Sequence, residues 1–256
     1  MRFLLTNDDG IYAKGLSALY QELSKDADCL IVAPEIEQSA VGHAITISRP
    51  LMVRPARKNG RFLGYAVAGT PADCVKIGIR ELSDKPVDLV VSGINRGANV
   101  GINVIYSGTV SAATEGAIMG VPSMAVSLDS FDSEADFEVA AKFARKIAAF
   151  LLGGYPMKHV PLNINVPALP ESEIKGVVVA RQGKARLIES YERRVDPREN
   201  IYYWLTGETR LSDHEDPHSD ACALRQGMVT ITPIYYDLTR HDVLSELGDL
   251  IKKGNI

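Results

Sequence analysis

Short apolar runs and amphipathic stretches alternate along the first half of the chain. Arg2–Thr6 is an apolar run ending in the turn signal Asn7-Asp8-Asp9-Gly10, and Leu16, Leu19, Tyr20 and Leu23 then recur at helical spacing. Cys29–Ala33 reads as a second buried strand, stopped by Pro34. Ala44–Arg54 and Arg61–Val67 alternate like strands around the hairpin signal Lys58-Asn59-Gly60. Pro71 opens a helix running to Leu82, since proline at a first helical position sacrifices no hydrogen bond. Val87–Val91 is a continuous apolar strand, Ser107–Met119 a helix, Ser123–Leu128 a strand and Glu134–Leu152 an amphipathic helix. Such alternation predicts an α/β fold, with a mostly parallel sheet and helices on both faces.

Past Gly153 the pattern changes. Leu162–Val166, Val177–Ala180 and Met228–Pro233 read as strands, a helix starts near Asp220, and His241–Lys252 closes with another. Residues 185–211 are polar and aromatic, carrying Tyr191, Tyr202, Tyr203 and Trp204 beside Arg193 and Arg194. Exposed aromatics without a core of their own mark a partner surface, so this segment reads as a protruding hairpin or arm. No flexible linker interrupts the chain. The expectation is one domain over 1–256 with 185–211 as the arm.

Composition narrows the function. The 256 residues are 46% hydrophobic and 23% charged, as in an ordinary globular protein. The net charge of −4 argues against a nucleic acid polymer as partner, since phosphate-backbone binders are basic. Cys29, Cys74 and Cys222 form no CxxC pair, which fits a reducing compartment better than a disulfide framework or zinc ribbon. The opening MRFLLTNDDG is too short in apolar residues for a signal peptide, and no run reaches membrane-spanning length. The expected location is cytoplasmic, with no membrane partner.

In an open parallel sheet, ligands bind beyond the carboxyl ends of the strands. Three loops there carry unusual polar residues. In Asn7-Asp8-Asp9-Gly10 two adjacent carboxylates repel unless a cation or proton lies between them, although the same letters also spell an ordinary turn. The loop Pro34–His43 offers Ser39 as a neutral oxygen and His43 as a group that titrates or merely hydrogen-bonds. Ser92–Gly101 has glycines at 93, 97 and 101 with Asn95 and Asn99 between them, a composition suited to close approach of backbone to a small ligand. It matches neither the dinucleotide fingerprint nor the Walker A loop. Ser107-Gly108-Thr109 at a helix start offers free N–H groups and a positive dipole end to a phosphate, or simply a cap. Carboxylate, hydroxyl and amide oxygens together suit Mg²⁺ or Mn²⁺. The ligand-dense string Asp213–His218 lies in a turn-rich stretch broken by Pro217 and reads as a solvated loop.

These motifs, with Gly69-Thr70-Pro71-Ala72-Asp73-Cys74-Val75, Tyr106-Ser107-Gly108-Thr109-Val110, Asp196-Pro197-Arg198 and Val229-Thr230-Ile231-Thr232-Pro233, resemble the SurE survival-protein family over nearly the whole chain. The resemblance implies a Rossmann-like core and a metal-dependent phosphatase acting on nucleoside 5′- and 3′-monophosphates, with some activity on short polyphosphate. It implies an arm exchanged between subunits of a homodimer or homotetramer. It also implies metal ligation by Asp8, Asp9, Ser39 and Asn95, with Asp8 and Asp9 catalytic, and phosphate binding by Ser107, Gly108 and Thr109 with help from Asn99. The expected reaction is attack by a metal-activated water. The rivals are an aspartyl-phosphate phosphatase and a nucleotide-binding regulatory module without turnover. The aspartyl-phosphate signature wants a second Asp two residues after the nucleophile, where Gly10 stands here.

Overall fold

The computed structural model describes residues 1–154, 159–210 and 216–254. Its elements run in the order β1 (Arg2–Thr6), α1 (Lys14–Leu23), β2 (Asp28–Pro34), β3 (Val53–Lys58), β4 (Arg61–Val67), α2 (Pro71–Ile77), β5 (Leu89–Arg96), α3 (Gly108–Ile118), β6 (Ser123–Asp129) and α4 (Glu138–Leu152). Then follow β7 (Leu162–Pro167), β8 (Val177–Val179), β9 (Arg186–Val195), β10 (Ile201–Arg210), α5 (Asp220–Arg225), β11 (Val229–Pro233) and α6 (Leu244–Gly254).

Nine strands form one sheet in the order β3-β4-β2-β1-β5-β6-β7-β11-β8. Only the β3–β4 and β7–β11 pairs are antiparallel. The pleat sends alternate residues to opposite faces, and the sequence obeys it. Phe3, Leu5, Ile31, Leu89 and Val91 pack against Leu16, Leu19 and Leu23 of α1 and Ala140, Ala144 and Ile147 of α4. Leu4, Leu30, Val32 and Val90 pack on the other face with Cys74 and Val75 of α2 and Ala112 of α3. Each such large side chain taken out of water contributes about 1.5–3 kcal/mol. The chain steps from β1 to β2 on one side and reaches β5 on the other. The switch point, where open α/β sheets bind ligands, therefore lies between the carboxyl ends of β1 and β5.

Several boundaries differ from the sequence pattern. No strand forms over 44–52; regular pairing begins at Val53. Residues 44–46 are instead tied to the start of α2. Thr46 donates its N–H and hydroxyl to the Asp73 carboxylate, and the Thr70 hydroxyl donates to the Ala44 carbonyl. Thr70 and Asp73 also make a reciprocal capping box, so one acidic side chain starts the helix and pins the loop. The regular helix after Pro71 stops at Ile77 and passes into a wider π-type turn, Gly78–Leu82. Helix α4 starts at Glu138, because the Asp132 and Asp136 carboxylates accept the N–H groups of Glu134 and Glu138 in turns before it. Strand β5 runs on to Arg96, through residues read as loop.

The arm is a separate two-stranded antiparallel hairpin, β9 with β10, in register from Val195↔Ile201 to Arg186↔Arg210. Tyr191, Tyr202, Tyr203 and Trp204 are all exposed on it. Leu211, the last residue of the expected arm, and residues 213–215 of the ligand-dense string lie outside the described residues. The remainder of that string behaves as a loop: Asp216 pairs with Arg181 and accepts the His218 N–H.

Candidate functional site

Three loops converge at the switch point. The Asn7 side-chain amide donates to the Gly10 carbonyl (2.9 Å), which closes the turn presenting Asp8 and Asp9. The Gln38 N–H donates to the Asp8 carbonyl (2.7 Å), stitching the Ser39 loop onto it. Strand β5 then carries Asn95 to the same place. Its pairing with β6 slips between Ser92 and Asn95, a bulge that re-aims the strand end. The cleft at this junction measures about 840 Å³ and has Asp8, Ser39, Asn95, Arg96, Asn99 and Ser107 in its wall. That volume falls within the usual range for small-molecule sites, about 300–1,000 Å³.

Asp8 is buried and fastened to the start of α3. Its Oδ1 accepts the Thr109 hydroxyl (2.5 Å) and its Oδ2 the Thr109 N–H (3.2 Å). Approach this close requires glycine at 108: a Cβ there would stand 2.9 Å from the Asp8 Cβ and 3.0 Å from its Oδ2. Burial nevertheless raises the Asp8 carboxyl above its ordinary value, against those bonds. Asp9 is pushed up to about 6, first by burial and then by the charges of Asp8 and Glu37; the Arg96 backbone N–H and guanidinium pull the other way. Two neighbouring carboxylates that both resist ionising fit a site completed by positive charge.

The neutral oxygens are arranged to match. Asn95 spends its amide N–H on the Gly97 carbonyl (2.7 Å), which leaves Oδ1 as its acceptor end. Ser39 is on the wall and donates to Glu37 Oε1 (2.5 Å). Among the described residues no three His, Cys, Asp or Glu side chains converge to hold a metal ion. Two carboxylates with hydroxyl and amide oxygens are a donor set that could hold Mg²⁺ or Mn²⁺ rather than zinc.

The phosphate candidates separate. Ser107 lines the cleft, and its Oγ caps α3 by accepting the Val110 N–H (3.1 Å). Thr109 is fully buried with both its N–H and its hydroxyl given to Asp8, and neither it nor Gly108 is on the cleft wall. Their contribution to a phosphate site runs through Asp8. Asn99 is held from beneath. Its N–H donates to Asn165 Oδ1 (2.8 Å), its amide to Ser127 Oγ (2.9 Å), and its carbonyl accepts from Asn163 and Asn165. Asp9 is brought beside Asp8 but is also off the cleft wall.

One expectation needs correcting, and one alternative is settled. Of the three loop glycines, Gly93 and Gly101 lie close to the protein's own chain: a Cβ would stand 2.3 Å from the Val126 and Ala185 carbonyl oxygens respectively. Only Gly97 is on the cleft wall. His43 is bonded through Nε2 to Glu115 of α3 (2.8 Å) and is absent from that wall, so it ties the Ser39 loop down. Pattern reading passed over Arg96, whose guanidinium is at the cleft, although it stood inside the quoted motif. It also passed over Asn163, Asn165 and Ser127, where polar residues in apolar strands were the available signal. Asp220 was a third omission: its buried carboxylate accepts the Gly101 and Gly183 N–H groups (both 2.9 Å) and anchors the far end of the loop.

Residues 3–189 match the family described as Survival protein SurE. The chain belongs to the SurE family. It is 72% identical over 253 residues to a protein named 5′-nucleotidase SurE from Syntrophus aciditrophicus, covering 99% of this chain and 95% of that one. To the 5′-nucleotidase SurE of Syntrophobacter fumaroxidans it is 54% identical over 248 residues, 97% of this chain and 98% of the other. The crystal structure of the SurE protein from Aquifex aeolicus is similar with a TM-score of 0.83 at 39% identity, over 98% of this chain and 99% of that one.

Proposed function

We propose that this SurE-family chain is a divalent-metal-dependent phosphohydrolase that removes phosphate from nucleoside 5′- and 3′-monophosphates, and from short polyphosphate. The observation that carries the reading is the junction of Asp8, Asp9, Asn95 and Ser39 at the switch point, opening into a nucleotide-sized cleft. Relatives named 5′-nucleotidase SurE support the substrate class. Asp8, Asp9, Asn95 and Ser39 would hold a divalent cation, which would supply charge neutralisation at the phosphate and Lewis acidity toward water. The chain's own groups supply the rest. Thr109 and Gly108 keep Asp8 in one orientation, and the Asp8–Asp9 pair takes up the water's proton. Ser107, Asn99 and Arg96 face the phosphate oxygens and stabilise the charge that spreads over them.

The arm serves oligomer contacts in this reading, giving a homodimer or homotetramer; four exposed aromatic side chains on a self-paired hairpin support it. No helix among the described residues is long and apolar enough to cross a membrane. Cys29, Cys74 and Cys222 form no disulfide, which fits a reducing, cytoplasmic setting. The test is phosphate release from 5′- and 3′-monophosphates and tripolyphosphate with Mg²⁺, Mn²⁺ or EDTA. Expected is turnover that EDTA abolishes and added cation restores. Release indifferent to EDTA overturns the metal requirement, and no release from any ester overturns the phosphohydrolase reading in favour of a binding module.

A further inference from the structure

Phosphate chemistry accounts for only part of the cleft wall. Beside Asp8, Ser39, Asn95, Asn99 and Ser107 the same wall carries the apolar and aromatic residues Phe131, Tyr106, Ile188 and Leu205. Phe131, in the loop after β6, is 74% exposed, a poor use of a large apolar ring unless something covers it. It is seated on Gly97, whose φ of 103° and missing Cβ make room: a Cβ there would stand 2.5 Å from the ring's Cε1. Tyr106, 55% exposed, lines the same cleft one residue before the helix cap Ser107. The arm completes the wall with Ile188 near the base of β9 and Leu205 midway along β10, both exposed, together with the charged Arg186 and Glu189.

We propose that these apolar and aromatic residues form a nucleobase subsite, with Phe131 as its stacking surface and the arm as part of its wall. The inference rests on the nucleotidase reading and adds to it a physical basis for choosing nucleotides over smaller phosphate esters. Three observations select a base as the occupant. The apolar and aromatic residues share one cleft with the polar groups, so a group attached to the phosphate can reach them. They include two aromatic rings, and every nucleobase has a flat face that stacks on such rings. Arg186 and Glu189 on the same wall offer donors and acceptors to the polar edge of a base. Because Ile188 and Leu205 come from the hairpin, the segment read as an oligomer arm also selects the substrate.

The experiment compares adenosine 5′-monophosphate with ribose 5-phosphate, which share the leaving alkoxide and differ by the base. Expected is a parent kcat/KM at least about tenfold higher for the nucleotide, the size of one base–aromatic stack. Phe131→Ala and, separately, Ile188→Ala should remove most of that preference while ribose 5-phosphate turnover stays within about twofold of the parent. Equal losses on both esters, or an undiminished preference in both variants, overturn the subsite. Calorimetric dissociation constants for the two compounds, measured on the same proteins with Mn²⁺, read the base contribution without turnover. If neither ester is hydrolysed yet Phe131→Ala weakens the nucleotide alone, the subsite stands and the nucleotidase reading falls. If the parent binds both equally, the subsite is overturned whatever the turnover.

Discussion

At the carboxyl edge of the sheet polar side chains are buried, while on the arm apolar side chains are exposed. Asp8, Asn7, Asn99, Thr109, Asn163, Asn165 and Asp220 have almost no solvent access, and most of them are held by named hydrogen bonds. Tyr191, Tyr203 and Trp204 are largely open to solvent on their own hairpin sheet. Each arrangement costs stability by the ordinary rules of burial. The edge offsets its cost inside the chain, by holding two carboxylates in one orientation. The arm's cost is the one that the proposed second subunit, and the proposed substrate contact, would offset from outside the chain. Internal order at the edge and external partners at the arm make separable predictions.

The largest effect belongs to the edge. Asp9→Asn should lower metal-dependent phosphate release by about a thousandfold with an unchanged circular dichroism spectrum, since it removes one of two carboxylates and leaves the fold's bonds in place. Activity near the parent's would remove Asp9 from the site. Next is the arm. Tyr203→Ala with Trp204→Ala should weaken self-association by about a hundredfold, as loss of interface aromatics does, read by light scattering over a dilution series. An assembly that stays intact at the lowest concentration would put the interface elsewhere.

A smaller effect tests how the edge is built. Gly108→Ala pushes a methyl against the Asp8 carboxylate, and strain of this kind costs about 1–3 kcal/mol. Turnover should fall about tenfold, with a lower melting temperature; a silent substitution would mean Asp8 has room to move. The smallest concerns Glu115, which burial disfavours but the His43 and Lys76 hydrogen bonds hold below the usual carboxylate range. A depressed folded value stabilises the protein above the unfolded value and is lost as pH falls through the folded one. Glu115→Gln should therefore melt about 2–4 °C lower at neutral pH, and the gap should close below pH 4 as the parent's carboxylate is protonated. A gap that persists in acid would assign the loss to packing.

The comparison also explains what could be read in the letters. Strand–helix alternation, the buried runs and the hairpin turn at Asn59-Gly60 were legible because the pleat and the helical repeat impose themselves residue by residue. The gathering of Asp8, Ser39 and Asn95 at one cleft was legible too, since each follows or ends a strand. Long-range bonds were not. Nothing local says that Thr109 is consumed by Asp8, that His43 reaches Glu115, or that Asp73 pulls residues 44–46 off the expected strand. Loop glycines were misread for the same reason, because what a Cβ would meet depends on chain segments distant in sequence. Arm residues at the cleft were invisible until the start of the hairpin was located against residues 101–105.

The central claim is a cation site shared by Asp8, Asp9, Ser39 and Asn95. It is tested most directly by titrating metal-stripped protein with Mn²⁺ and following free Mn²⁺ by electron paramagnetic resonance, in the parent and in Asp8→Asn. The account predicts one saturable site per chain that the substitution abolishes. A site of the same affinity surviving in Asp8→Asn, or no saturable binding in the parent, would contradict it.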